Sequence, residues 1–307
     1  MRGVTRHRGS PTTTLRPALG LAGASLVAVL LAGCTASSQP GSYQFHWNYF
    51  VDSIIHPDHL ILGGLVLTVS ISIISQVIGV ILGIFAAISK LSRVRAFRWI
   101  ANVYIWIFRG TPLVVQLVFF YFGLSVTKIY NWPDLTIGPL TIQGAVQAGI
   151  FTLGLNEGAY MAEIVRAGIL AIDPGQSEAA KALGMTAGQT MRRIVLPQAA
   201  RVIVPPLGNE FNNMLKTTSL LFVLSVQELY TVFNIKQGND FAPFEYFLAA
   251  AVWFLILTTI WGVIQARIEK RLAVGTGSGG NAGPQPGLIS RMIGLRNNTG
   301  NQIAGSH

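Results

Sequence analysis

The chain has 307 residues, of which 51% are hydrophobic and 11% charged, with a mean hydropathy of +0.50; so apolar a composition excludes an ordinary soluble protein and reads as a polytopic membrane protein. The formal charge of +10 sits in short Lys/Arg clusters beside apolar runs, not on one amphipathic face, so it speaks for membrane topology and against a nucleic-acid partner. One cysteine, Cys34, excludes an intrachain disulfide and a Cys-based metal cage, and no metalloprotease, phosphate-loop or nucleophile-elbow motif asks for catalysis or for ATP or another cofactor held by this chain.

Residues 1–34 form a separate unit: a basic start (Arg2, Arg6, Arg8, Arg16), an apolar run from Ala18 to Leu31, then Ala32-Gly33-Cys34. That is the layout of a secretory signal. Small residues before a cysteine resemble a bacterial lipoprotein box, with Cys34 lipidated; an uncleaved signal anchor with an incidental cysteine is the other reading. On either one, the segment 35–58 emerges outside the cytoplasm. Its Ser37, Ser38, Pro40 and Gly41, followed by Trp47, Tyr49 and Phe50, suit a short linker ending in interfacial aromatic residues.

A first span is expected from about Leu60 to Ile88, longer than the roughly 20 residues that cross a bilayer core. Ser72, Ser75, Gly79 and Gly83 share one helical face, with Gly79 and Gly83 spaced for close helix contact. Lys90, Arg93, Arg95 and Arg98 follow with no acid between them, which marks a cytoplasmic turn. The second span, Trp99 to Thr127, is interrupted by Arg109-Gly110-Thr111-Pro112 and should kink or split into half-helices. Arg109 either snorkels to the cytoplasmic interface or reaches a solute. Lys128 to Pro139 returns to turn composition outside.

The third span, Thr141 to Ile169, carries Asn156, Tyr160 and Glu163 at i, i+4 and i+7, on one face. Ionisable groups at membrane depth normally face a bundle interior or a wet cavity, so these residues and Glu157 are candidates for a translocation path. Glu163 has a second reading, as an anchor paired with Arg166 at i+3.

Between the third and fourth spans lies EAAKALGMTAGQTMRRIVLP, Glu178 to Pro197, within a polar segment 173–200. Ordinary connections run to about 4–6 residues, so this one is built for more than connection. Helix formers up to Leu183, a break at Gly184 and a second helix from near Thr186 predict a helix–turn–helix. Ala179, Ala180 and Ala182 would leave its surface bare enough for another protein to approach the backbone, while Lys181, Arg192 and Arg193 keep it in water.

The fourth span, Val202 to Val226, opens on Pro205-Pro206 and puts Asn209, Asn213 and Lys216 on one face, with Asn212 beside them. Two polar-faced helices thus flank the loop and offer carboxylate, amide and ammonium groups to a zwitterionic solute. Interhelical hydrogen bonds worth about 0.6–2 kcal/mol each are the other use of the asparagines. An outer loop from Gln227 to Pro243 and a fifth span from Phe244 to Ile264 lead to Arg267, Lys270 and Arg271 inside. The membrane domain is 59–271, and the Gly- and Pro-rich segment 272–307 reads as a disordered cytoplasmic tail.

Glu178-Ala179-Ala180, Gly184, Ile194 and Leu196-Pro197 fill all seven positions of a pattern that resembles the EAA loop of ABC-importer permeases. Arg109-Gly110-Thr111-Pro112-Leu113, Ala159-Tyr160 with Glu163-Ile164-Val165-Arg166, Pro174-Gly175-Gln176 and Lys216-Thr217-Thr218-Ser219-Leu220 resemble motifs of its polar amino acid branch, the histidine, glutamine, glutamate, arginine and cystine importers. The resemblance implies an all-α, five-helix permease of the type I importer fold in the bacterial plasma (inner) membrane, with its C-terminus cytoplasmic. It further implies a second permease subunit, identical or not, and a cytoplasmic ABC ATPase dimer that holds ATP and Mg and receives the EAA loops. A solute-binding protein would deliver the amino acid from outside, with membrane lipids around the whole. Two features depart from the pattern: Thr217 stands where such permeases often carry an acid, and the leader is extra. An ion-coupled secondary transporter or channel using Glu157, Glu163 and Lys216 is the alternative; it has no use for a docking loop. A membrane assembly protein in which the polar residues only join helices is a third reading.

Overall fold

A computed structural model describes residues 43–273. The leader with Cys34, and the tail apart from Leu272 and Ala273, lie outside the described residues. Within them the chain forms α1 (Trp47–Ile55), α2 (His59–Leu91), α3 (Arg95–Gly110), α4 (Leu113–Val126), a hairpin of β1 (Leu135–Ile137) and β2 (Leu140–Ile142), α5 (Gly144–Leu170), α6 (Pro174–Ala182), α7 (Ala187–Leu224), α8 (Leu229–Asp240) and α9 (Pro243–Ala273). The five-helix core is all-α: α2, the broken span α3–α4, α5, the bent span α7–α8, and α9.

α2 and α9 are each long and apolar enough to cross a membrane alone, and the two bent pairs qualify as units. α5 is the exception. Its polar residues lower its hydropathy, and it compensates by lying at the centre, packed along α2, with 15 of its 27 residues buried. The glycine pair on α2 explains how close that packing is. A Cβ at Gly79 would fall 2.5 Å from Glu157 Cγ, and one at Gly83 would fall 2.3 Å from Met161 Cβ. Overpacking of this kind costs about 1–3 kcal/mol. Gly83→Val is therefore expected to lower the unfolding temperature in detergent, whereas Gly63→Val, where a Cβ meets nothing within 4 Å, should leave it unchanged or raise it. Equal effects of the two would mean that α2 and α5 do not depend on this contact.

The second span breaks as its sequence predicts, with α3 and α4 turned by 107° at Thr111-Pro112. α3 buries Ala101 and Ile105 against the bundle and leaves Trp99 and Trp106 outside. The segment after α4, expected as a plain turn, holds the β1–β2 hairpin, with Thr136 opposite Thr141 and Gly138 at φ +60° in its turn.

Two expectations on the fourth span need correction. The helix does not open at Val202 but runs on from Ala187 through a π-type stretch at Met191–Val195, so Pro205 and Pro206 sit deep inside it. α9 supports that stretch: Trp261 Nε1 donates to the Gly208 carbonyl at 2.7 Å and Gln265 Nε2 to the Pro205 carbonyl at 3.3 Å. The outer loop from Gln227 is largely α8. Its start is fixed by buried Glu228, whose carboxylate accepts the Tyr230 and Thr231 N–H groups at 2.9 and 2.8 Å, a cap that outweighs the turn-like Gln237–Asp240 end. α8 buries Leu229, Val232 and Phe233 against α2 and α9. Beside α8, Asp58 caps α2 through the Ile61 N–H at 3.0 Å and pairs with Lys236 at 2.6 Å. Burial alone would raise the Asp58 carboxyl, but Lys236 and that N–H hold it below the usual carboxylate range.

Candidate functional site: a polar cleft and an exposed helix–turn–helix

The segment between α5 and α7 forms the expected helix–turn–helix. Asp173 caps α6 by accepting the Gly175 N–H at 2.8 Å, with Pro174 in the first turn. The helix stops at Gly184, which takes φ +79°; its N–H reaches the Lys181 carbonyl at 2.9 Å and the Met185 N–H reaches Ala180 at 3.1 Å. These two bonds are a Schellman closure, and the left-handed residue it needs is why a glycine stands there. α7 then starts with a capping box: Gln189 N–H donates to Thr186 Oγ1 at 3.3 Å and Thr186 N–H to Gln189 Oε1 at 2.9 Å. Both helices are thus fixed by their own end chemistry.

Glu178, Ala179, Gly184, Leu196 and Pro197 are exposed, Ile194 is half-buried, and Leu183 is 84% exposed. Ala180 departs from expectation. It is buried, so the bare outer surface is made by Ala179 and Ala182 alone, and Ala180 seats α6 on its own support.

The second feature is a cleft of about 610 Å³ between α5 and α7, closed on one side by Leu113 of α4. α5 contributes Leu153, Asn156, Glu157 and Tyr160; α7 contributes Glu210, Asn213, Lys216 and Thr217, among others. Five of the seven path candidates are therefore brought together. Glu157 is the deepest of the charged ones, 6% exposed, and accepts from Gln76 Nε2 of α2 at 3.0 Å. Lys216 is exposed and, among the described residues, has no ion-pair partner.

The other two candidates lie elsewhere. Glu163 is held by Lys90 of α2 and by Arg166, the latter at 2.9 Å, which is the anchoring reading of that residue. Asn209 Oδ1 accepts from Gln265 Nε2 of α9 at 3.1 Å and so joins two helices. Arg109 neither snorkels freely nor enters the cleft: its guanidinium lies 5.1 Å from the centre of the Tyr160 ring. Three residues escaped the sequence reading. Glu210 was legible, since it shares a face with Asn213 and Thr217 at i, i+3 and i+7. Gln76 and Gln116 were not, because their partners lie on other helices. Among the described residues no group of three or more His, Cys, Asp or Glu side chains is placed to hold a metal ion.

A family model described as "Binding-protein-dependent transport system inner membrane component" matches residues 79–274, a stretch that takes in the cleft-lining helices and the helix–turn–helix between them. The chain belongs to that family. The permease is 42% identical over 214 residues to the arginine transport system permease protein ArgU of Corynebacterium glutamicum, covering 68% of this chain and 67% of the relative. It is 36% identical over 236 residues to the glutamine transport system permease protein GlnP of Escherichia coli K12, covering 75% of this chain and 99% of the relative. Among solved structures, a chain of an amino acid ABC transporter crystallised with histidines is 36% identical, with a TM-score of 0.65 over 72% of the permease and 98% of that chain. The inward-facing MetNI methionine ABC transporter, at 19% identity and a TM-score of 0.57 over 69% of the permease and 96% of that chain, shares the fold. The protein is a multi-pass membrane permease of the amino acid ABC importer type.

Proposed function

We propose that the protein is the membrane subunit of an ATP-driven importer of polar amino acids, and that Glu178 to Pro197 is the loop through which a cytoplasmic ATPase moves it. One observation carries the reading: the exposed helix–turn–helix follows α5 after a three-residue turn, 171–173, and its second helix is the start of α7, so it joins the two helices that form the polar cleft. A push or pull on the loop reaches the α7 wall along one helix and the α5 wall through that short turn. ATP and Mg would be held by the ATPase dimer and not by this chain. A solute-binding protein would deliver the amino acid to the outer side, a second permease subunit would complete the passage, and the C-terminus would lie in the cytoplasm of a bacterial inner membrane. The names of the relatives make arginine and glutamine the first solutes to try.

Reconstitution tests this directly. Proteoliposomes holding the permease with its ATPase should take up labelled arginine or glutamine only when the solute-binding protein is outside and ATP is available to the ATPase. Uptake by the permease alone, driven by a sodium or proton gradient, would replace the importer reading with ion-coupled transport.

A further inference from the structure

Pro112 has no N–H, so the Phe108 carbonyl at the end of α3 is left without its helical donor. Two side-chain amides replace it: Gln116 Nε2 donates to Phe108 O at 2.9 Å and Asn156 Nδ2 donates to it at 3.0 Å. Gln116 Nε2 also lies 3.2 Å from the Thr111 carbonyl and 2.8 Å from Thr111 Oγ1. The Oε1 atom of Gln116 accepts from Asn156 Nδ2 at 3.1 Å. A carbonyl can only accept, so both amides must turn nitrogen toward Phe108, and the backbone decides which way each faces. Gln116 is 6% exposed, while Asn156 belongs to the cleft wall.

An amide nitrogen carries two hydrogens, and those of Asn156 go to the Phe108 carbonyl and to Gln116. Only Oδ1 is left to interact with a solute. We infer that Gln116 is a positioning residue for solute recognition: it locks Asn156 so that the cleft is offered an acceptor and never a donor at that point. The inference rests on the importer function proposed above and deepens it. Beside Asn156 stands the Glu157 carboxylate, a second acceptor, and on the α7 wall Lys216 is a donor. The point beside Asn156 and Glu157 therefore suits an α-ammonium and Lys216 an α-carboxylate, with Glu210 a further acceptor on the α7 wall.

The purified permease–ATPase complex is the sample, and equilibrium binding of labelled L-arginine and L-glutamine is the measurement. Each probe is competed with its own analogue lacking the α-amino group. In the native complex the analogue should compete at least about tenfold less well than the amino acid, since a hydrogen bond to a charged group is at stake. Gln116→Met, of similar length and apolar, leaves Asn156 with a spare N–H. Affinity for the amino acid should then fall about tenfold, and its advantage over the analogue should shrink to within about threefold, with the ATPase still attached. A merely structural Gln116 would lower the yield of complex and leave the ratio of the two affinities unchanged, which would overturn the inference. Should Gln116→Met fail to assemble, the same ratio is read on Gln116→Ser, which also leaves Asn156 with a spare N–H. A native complex that binds neither probe would overturn the importer reading and this inference with it; native binding with an unchanged ratio in the variants overturns only the inference.

Discussion

A complex carrying Gly184→Arg is expected to lose most solute uptake, either by shedding its ATPase or by hydrolysing ATP without transport. The turn makes two demands on residue 184, and they can be separated. Its φ of +79° makes any side chain cost about 1–2 kcal/mol of backbone strain. A Cβ there, however, meets nothing within 4 Å in this chain, so bulk at this point is harmful only to something that docks on it. Gly184→Asn, which tolerates the left-handed conformation, should keep at least half of the native uptake, and Gly184→Ala should lose somewhat more. Arginine should be far worse than alanine, because it adds a long side chain beside Leu183 on the outermost part of the loop. Normal uptake by Gly184→Arg would sink the docking argument. Equal losses with alanine and arginine would assign the residue to the turn alone.

The loop was legible in the sequence because its determinants are local. A cap at Thr186, a left-handed closure at Gly184 and an N1 proline at Pro174 are all written within a few residues of where they act. The break of the second span was legible for the same reason, since Pro112 announces it. Its 107° angle was not, because the angle is held by Gln116 and by Asn156, the latter 48 residues from the Phe108 carbonyl it serves. Glu163 shows the limit of helical spacing. It shares a face with Asn156 and Tyr160, yet a 27-residue helix passes through several environments, and near its C-terminal end Lys90 of α2 claims the carboxylate. Asn209 is claimed by α9 in the same manner. α8 was missed because a polar, turn-like end hid a helix whose buried face is short, Leu229 with Thr231, Val232 and Phe233, and is fixed by a carboxylate cap that composition does not reveal. Face-sharing in one helix nominates residues for a passage; the neighbouring helices decide which of them are free to serve it.

That distinction sets the second large prediction, in which Glu157→Gln and Lys216→Met should each raise the KM for uptake about thirtyfold or more, while Glu163→Gln should not. The two cleft residues offer opposite charges from opposite walls, suited to the two ends of a zwitterion. Losing a charged partner in a desolvated contact costs about 2–5 kcal/mol, and about 1.4 kcal/mol is tenfold in affinity. Glu157→Gln isolates the charge well: the side chains are nearly the same size, and the buried Gln76 Oε1 beside it has no hydrogen-bond donor, so a glutamine amide finds a partner there and the helix contact survives. Lys216 is exposed and unpaired among the described residues, so Lys216→Met removes an ammonium without stranding a carboxylate. Glu163→Gln is the contrast. It breaks pairs with Lys90 and Arg166 that are only partly buried, so it should cost on the order of 1 kcal/mol of stability and leave the KM within about twofold. All three complexes should retain the ATPase, which co-purification checks. The decisive readout is the pattern of KM values: a rise at Glu163 equal to that at Glu157 would move the solute path along α5 toward its C-terminal end, and unchanged values at both Glu157 and Lys216 would remove the cleft from the path altogether.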